Sequence, residues 1–324
     1  MQRLRIGTSD VEISAIGLGG AWLGHDADDA SQVTRANAVL HAADESGVNW
    51  VDTSENYFDT KNEAVIGAAL QAMPGPFLVC SKAAPGAVHS GGGSGFRPEQ
   101  IRRACENSLR RLGRDHLDIY LLHWPDRTGV PLEDTWGAMA SLVDDGRVRT
   151  IGLSNYAQED VARCHGERPV DLIQTGLSVI DYVDSRDMIA WCGRQGIAVT
   201  IYEPLAGGLL TDTSFEQVRQ RWIGTPWEDL TVYPELMCLE NAEVVRQIVG
   251  GLRRIADRVD ASVAQVALAW VLHQPGVTSA IAGSSSPERA RSNAGAADLN
   301  LPDDAWAMIE DQLVPLASQL AGRT

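Results

Sequence analysis

Eight apolar runs punctuate the chain, and segments of helical length separate them. The runs are AIGLGG (15–20), WVDTS (50–54), FLVCSKA (77–83), LDIYLLHW (117–124), TIGLSN (150–155), DLIQTGLS (171–178), AVTIYEPL (198–205) and VTSAIAGSS (277–285). Continuous rather than alternating hydrophobicity marks strands covered on both faces. Between the runs the period changes. In RPEQIRRACENSLRRLG, Ile101, Ala104, Cys105, Ser108, Leu109 and Leu112 share one helical face, Pro98 suits the first turn and Gly113 the stop. PERARSNAGA and DDAWAMIEDQL, near the end, read as further helices. Ahead of all this, RLRIGTSDVEIS (3–14) places Gly-Thr-Ser-Asp between two short alternating runs, a β-hairpin signature. Strands each followed by a helix predict an α/β fold, a (β/α)₈ TIM barrel spanning residues 1–324 as one domain. A doubly wound sheet would carry GxGxxG after its first strand, and the glycines of GLGGAWLG (17–24) have the wrong spacing.

Composition narrows the partners. The formal net charge of −16 predicts a soluble chain that repels nucleic acid and anionic membranes, so an anionic ligand needs a local basic pocket. No apolar run reaches the roughly 18 residues of a membrane span, and no basic, apolar leader opens the chain. Five scattered cysteines without a CxxC pair fit reduced thiols in a cytoplasmic protein, with no cysteine-based metal site. HSGGGSG (89–95) reads as a flexible loop. The long connection 206–238, carrying Trp222, Trp227 and Tyr233, reads either as a lid or as an excursion packed by its own aromatics.

A barrel builds its active site at the C-terminal ends of its strands. Those ends carry Asp52, Lys82, His123, Asn155, Gln174, Tyr202 and Ser284. Seven polar groups on one rim exceed what stability requires, because each buried one needs a partner. The stretch VDTSENY adds a phenol, Tyr57, five residues after Asp52. An isolated phenol titrates near pH 10, and a neighbouring ammonium favours its ionised form. Lys82 supplies that ammonium, Asp52 holds it charged, and His123 donates to a substrate oxygen or relays a proton. Together they form a general-acid apparatus for a carbonyl becoming an alkoxide, with the hydride left to a cofactor. Glu55 is expected to face solvent.

These elements resemble the aldo-keto reductase family over nearly the whole chain. Asp52 and Tyr57 match the family's Asp-x₄-Tyr, Lys82 in VCSKA matches its lysine, and His123 in YLLHWPD matches its histidine. The resemblance implies a barrel closed below by the hairpin, an extra C-terminal helix, and NADPH bound across the rim, with NADH possible. It assigns Ser154, Asn155 and Gln174 to the nicotinamide carboxamide and Tyr202 to the ring face. It places Leu205, Gly207 and Leu209 along the pyrophosphate, and Gly283, Ser284, Arg289 and Asn293 around the adenosine 2′-phosphate. Serines, backbone amides after Pro287 and arginine side chains also suit an anion on physical grounds. Arg291 is as readily a solvated helix residue. Gly283-Ser284-Ser285-Ser286 stands where many members carry a lysine, which weakens the preference for NADPH.

Trp22, Phe58 and Trp124 are the candidate substrate walls, suited to aryl, alicyclic or sugar-like carbonyls. Trp136, Trp191, Trp270 and Trp306 fall on helices and read as packing residues. The leading expectation is an NADPH-dependent reductase of aldehydes or ketones, monomeric or homo-oligomeric. The alternatives are a nucleotide-binding regulatory or redox-sensing subunit with slow turnover, and a Schiff-base lyase with Lys82 as nucleophile.

Overall fold

A computed structural model of the protein describes residues 1–73, 75–85, 96–181, 185–223 and 236–320. The HSGGGSG stretch, Trp227 and Tyr233 lie outside the described residues. The eight apolar runs form eight parallel strands closed into a barrel. After the hairpin strands β1 (Arg3–Arg5) and β2 (Glu12–Ser14) come β3 (Ile16–Gly19), β4 (Trp50–Asp52), β5 (Leu78–Ala83) and β6 (Leu117–Leu122). The circuit continues with β7 (Val148–Ser154), β8 (Leu172–Gly176), β9 (Ala198–Tyr202) and β10 (Ser279–Gly283). Each barrel strand pairs with its sequence neighbour, and β10 returns to β3 with Ala280 opposite Ile16.

The strongest helix signal is realised as Pro98–Leu112, with the six expected residues buried and Gly113 in the left-handed region at φ 64°. Near the end of the described residues come the helix Asp303–Met308, a wide π turn, Ile309–Leu313, and the short helical turns Val314–Leu316 and Ala317–Gln319. Trp136 and Trp270 are buried, whereas Trp191 and Trp306 pack half-buried on the core.

Two cores result. The larger lies between strands and helices. The smaller fills the barrel, where Trp50, Cys80, Ile119, Leu121, Leu172, Ala198 and Ile281 meet Ile6, Val11 and Ile13 of the hairpin. Trp50 takes the space that a side chain at position 17 would need; a Cβ on Gly17 would stand 2.2 Å from its ring. Ser14 N donates to Asn49 Oδ1 (2.8 Å), and Asn49 Nδ2 donates to Glu12 O (2.8 Å). Arg149 bridges Asp10 of the hairpin turn and Asp118 of β6, each at 3.0 Å. The hairpin thus seals the N-terminal mouth and leaves the C-terminal mouth for polar groups.

Candidate active site

Three strand ends and one turn supply the site. Asp52 closes β4, Lys82 is the penultimate residue of β5, and His123 follows β6. Tyr57 returns to them on a turn completed by three non-glycine residues in the left-handed region, Phe58, Asp59 and Thr60 (φ 50°, 52° and 73°). Such residues cost roughly 1–3 kcal/mol each and persist where surroundings hold them. Here Asn62 does so. Its side chain is buried, accepts from Thr53 Oγ1 (2.7 Å) and donates to Gly20 O (3.0 Å) and Gly24 O (2.7 Å).

Lys82 is fully buried and directs its ammonium to three acceptors. Nζ donates to Asp52 Oδ2 at 2.7 Å, to Thr53 O at 2.8 Å and towards Tyr57 Oη at 3.5 Å. The three protons of an ammonium are thereby matched. Burial alone would neutralise this lysine. The Asp52 carboxylate, with Tyr57 beside it, outweighs burial and holds the lysine pKa above its ordinary value. Asp52 is itself oriented from across the barrel, where Gln174 Nε2 donates to its Oδ1 (2.9 Å).

The phenol departs from the expectation that Lys82 lowers its pKa. Burial pushes Tyr57 up to about 12, and the ammonium offsets only part of that rise. The hydroxyl therefore keeps its proton at neutral pH. His123 stands edge-on to Tyr57, with ring centroids 5.8 Å apart, and stacks on Trp124 at 3.6 Å. Its Nδ1 lies 2.9 Å from Ser54 Oγ and 3.0 Å from Asn56 Oδ1.

Glu55 does not face solvent. It is half-buried, and its Oε1 accepts the backbone N–H of Ala84 (2.7 Å), pinning the turn to the end of β5. Burial raises its pKa to about 7, more than the Ala84 hydrogen bond lowers it. Behind β5, a second buried carboxylate, Glu63, pairs with Arg111 at 2.6 Å and accepts from Ser81 Oγ.

On the opposite rim, Tyr202 lies over Gly176, where a Cβ would stand 3.1 Å from its ring. Its hydroxyl donates to Asn155 Oδ1 (2.7 Å), and Asn155 Nδ2 donates to Ser154 Oγ (3.1 Å) and His123 O (2.9 Å). Leu209 turns into the main core, whereas Leu205 and Gly207 stay half-buried. Buried Ser284 accepts from Asn293 Nδ2 (3.2 Å). Ser286 caps the helix Pro287–Ala294, and Arg289, exposed, donates to Ser285 Oγ (3.2 Å). Arg291 pairs instead with Glu45 at 3.1 Å, so it belongs to the helix surface.

Two of the candidate walls, Trp22 and Phe58, join an aromatic cluster, while Trp124 stacks on His123. Trp22 meets Phe58 edge-on at 6.4 Å and Trp222 at 5.6 Å, and His25 stacks on Phe58 at 5.1 Å. Trp222 closes the helix Phe215–Trp222 inside the long connection, and its Nε1 donates to Gly207 O (3.1 Å). Neither His25 nor Trp222 stands at a strand end, which is why the rim pattern does not reveal them. Among the described residues no group of three or more His, Cys, Asp or Glu side chains is arranged to hold a metal, and no helix is long and apolar enough to cross a membrane. All five cysteines are free thiols.

Comparison with known proteins agrees in family and fold. An NADH-specific methylglyoxal reductase of Escherichia coli (strain K12) is 29% identical over 96% of this chain and 98% of its own. A probable aldo-keto reductase of Glycine max is 28% identical over 100% of this chain and 92% of its own. The solved glycerol dehydrogenase of Gluconobacter oxydans superposes with a TM-score of 0.81 at 25% identity, over 99% of this chain and 97% of the other. The aldo/keto reductase family model matches residues 15–313, and the chain belongs to that family of carbonyl-reducing oxidoreductases.

Proposed function

We propose that the protein reduces the carbonyl of a small aldehyde or ketone, with Tyr57 as general acid. The observation that carries this reading is the buried Lys82 ammonium, held on Asp52 and reaching Tyr57 Oη. An alkoxide forming at the rim is far more basic than a phenolate, so Tyr57 Oη–H gives it the proton even from a pKa near 12. The phenolate left behind faces the Lys82 charge. Asp52 and Gln174 keep that charge in place, and His123 lies beside the phenol to orient the reacting oxygen. The Schiff-base alternative fits poorly, since a nucleophilic lysine must be neutral and Asp52 keeps this one charged.

The residues fit a nicotinamide dinucleotide, which supplies the hydride when bound. Tyr202, kept flat by Gly176, offers a ring face. Ser154, Asn155 and Gln174 offer amide and hydroxyl partners, Leu205 and Gly207 offer a close backbone, and Gly283, Ser284, Arg289 and Asn293 frame an anion site. Arg289 favours NADP(H), with NAD(H) as the second possibility; a relative is named NADH-specific. Trp22, Phe58 and Trp124 favour aryl, alicyclic or sugar-like substrates. The names of two relatives, a methylglyoxal reductase and a glycerol dehydrogenase, point to small polar ones.

The test titrates the protein with NADPH and NADH, then follows cofactor absorbance across a carbonyl panel for the parent and Tyr57→Phe. The variant is expected to bind dinucleotide normally and to lose at least roughly a hundredfold in kcat. An equally active variant removes Tyr57 from the acid's role. Tight dinucleotide binding with negligible parent turnover would favour a regulatory, redox-sensing subunit.

A further inference from the structure

The turn that delivers Tyr57 also grips His123. Ser54 Oγ, Asn56 Oδ1 and His123 Nδ1 form a triangle with sides of 2.5 Å (Ser54–Asn56), 2.9 Å (Ser54–His123) and 3.0 Å (Asn56–His123). Ser54 and His123 are buried. Three close polar atoms share at most two protons here, and their placement is constrained. A carbonyl oxygen only accepts. Asn56 Oδ1 therefore needs donors from both neighbours at once. The Ser54 hydroxyl has a single proton, and the shortest side of the triangle directs it to Asn56 Oδ1. Ser54 Oγ then meets the ring with lone pairs, as Asn56 Oδ1 does. With the Asn56 amide oxygen, and not its nitrogen, turned to the pair, only an N–H at Nδ1 satisfies both. Were the hydroxyl proton turned to a bare Nδ1, Asn56 Oδ1 would face lone pairs on both sides, a half-buried acceptor wedged against two others.

We propose that Ser54 and Asn56 are positioning residues that hold neutral His123 as the Nδ1–H tautomer. Nδ1 is committed to the turn, so exchange with a reacting oxygen runs through Nε2. In the neutral ring Nε2 is an acceptor. His123 therefore donates a hydrogen bond to a substrate carbonyl only as imidazolium, and accepts one from an alcohol or from Tyr57 as the neutral ring. The ionisable groups around it are Tyr57 edge-on, the Lys82–Asp52 pair beyond that phenol, and Glu55 on the same turn. The functional half of this inference rests on the proposed carbonyl reduction. The tautomer does not, so the two can fail separately.

The tautomer is read directly from the imidazole ¹⁵N shifts of the uniformly labelled protein, in two-bond ¹H–¹⁵N spectra at a pH where the ring is neutral. His123→Gln assigns the signals. The expected result is a protonated Nδ1 and a bare Nε2; a protonated Nε2 with a bare Nδ1 overturns the proposal. Asn56→Asp, whose carboxylate presents only acceptors, should keep the Nδ1–H signature. Ser54→Ala combined with Asn56→Val should let the tautomers mix and lower kcat roughly tenfold with the dinucleotide KM unchanged. Ser54→Thr, which retains the hydroxyl, should retain the parent kcat. A double variant with the parent's ¹⁵N pattern and kcat shows that the turn does not set the tautomer.

Discussion

The two sides of the rim are built differently. Around β4, β5 and β6, the polar side chains of the site are fastened to other protein groups: Lys82 to three acceptors, Asp52 to Lys82 and Gln174, His123 to Ser54 and Asn56, Glu55 to Ala84. Beyond β10, the groups assigned to the dinucleotide's far end are mixed: Ser284 and Asn293 are buried and bonded to each other, but the outermost pair is open. Gly283 and Arg289 are exposed, and Arg289 rests on a single serine hydroxyl. The difference is physical. Groups that meet developing charge act best when already oriented, because orientation then costs nothing during reaction. Groups that recognise a large ligand must admit it first, and their contacts form on binding.

The sharpest test of the fastened side removes its anchor. Asp52→Ala leaves the buried Lys82 ammonium without its counter-ion, which should destabilise the fold by roughly 3–5 kcal/mol and abolish turnover. Denaturant unfolding checks the first expectation and carbonyl-dependent cofactor oxidation the second. A variant as stable as the parent would mean that Lys82 finds another partner and that the side is less rigid than it looks. The open side should respond selectively. Arg289→Ala should raise the KM for NADPH roughly tenfold, the worth of a charge-assisted hydrogen bond, while leaving NADH and Tm unchanged. Equal losses with both cofactors would show that Arg289 does not read the 2′-phosphate.

The smallest effect probes the seam between turn and strand. The folded pKa of Glu55, about 7, lies above its ordinary value, so the fold prefers the protonated carboxyl. Its contribution to stability is complete below the ordinary carboxylate range and is lost as pH rises through about 7. Glu55→Gln should abolish that component, and its Tm should fall less between pH 5 and 7.5 than the parent's, by a few degrees at most. Parallel Tm profiles would place the Glu55 carboxyl in water.

The strands and the four central residues were legible because they obey period and position. A residue such as Lys82 stands out as a charge at the end of an apolar run, and a barrel brings such ends together. What the chain did not disclose depends on balances set only in three dimensions. Glu55 sits in a polar turn like any solvated acid, and nothing in VDTSENY reveals that Ala84 N–H comes within reach of it. The Tyr57 phenol has an ammonium beside it, as expected, but burial outweighs that charge. Gln174 was readable as a polar strand end; its bond to Asp52 spans the barrel, from residue 174 to residue 52, and has no local signature. Trp222 belongs to the long connection 206–238, which reads equally as a lid or as a self-packed excursion and so does not single it out for the rim.

The pairing of β10 with β3 has a consequence for the order in which the chain is made. The fastened groups, Asp52 to His123, emerge from the ribosome early, while the strand that closes the barrel ends at Gly283. Until that strand arrives, β3 has a bare edge, and the space that Ile281 fills beside the hairpin is unsealed. Nascent or prematurely terminated chains therefore carry the proposed acid apparatus without the segment proposed to grip a dinucleotide. Translation first makes the half proposed to react and closes the barrel last, so a fragment has neither a finished core nor the segment proposed to hold the dinucleotide.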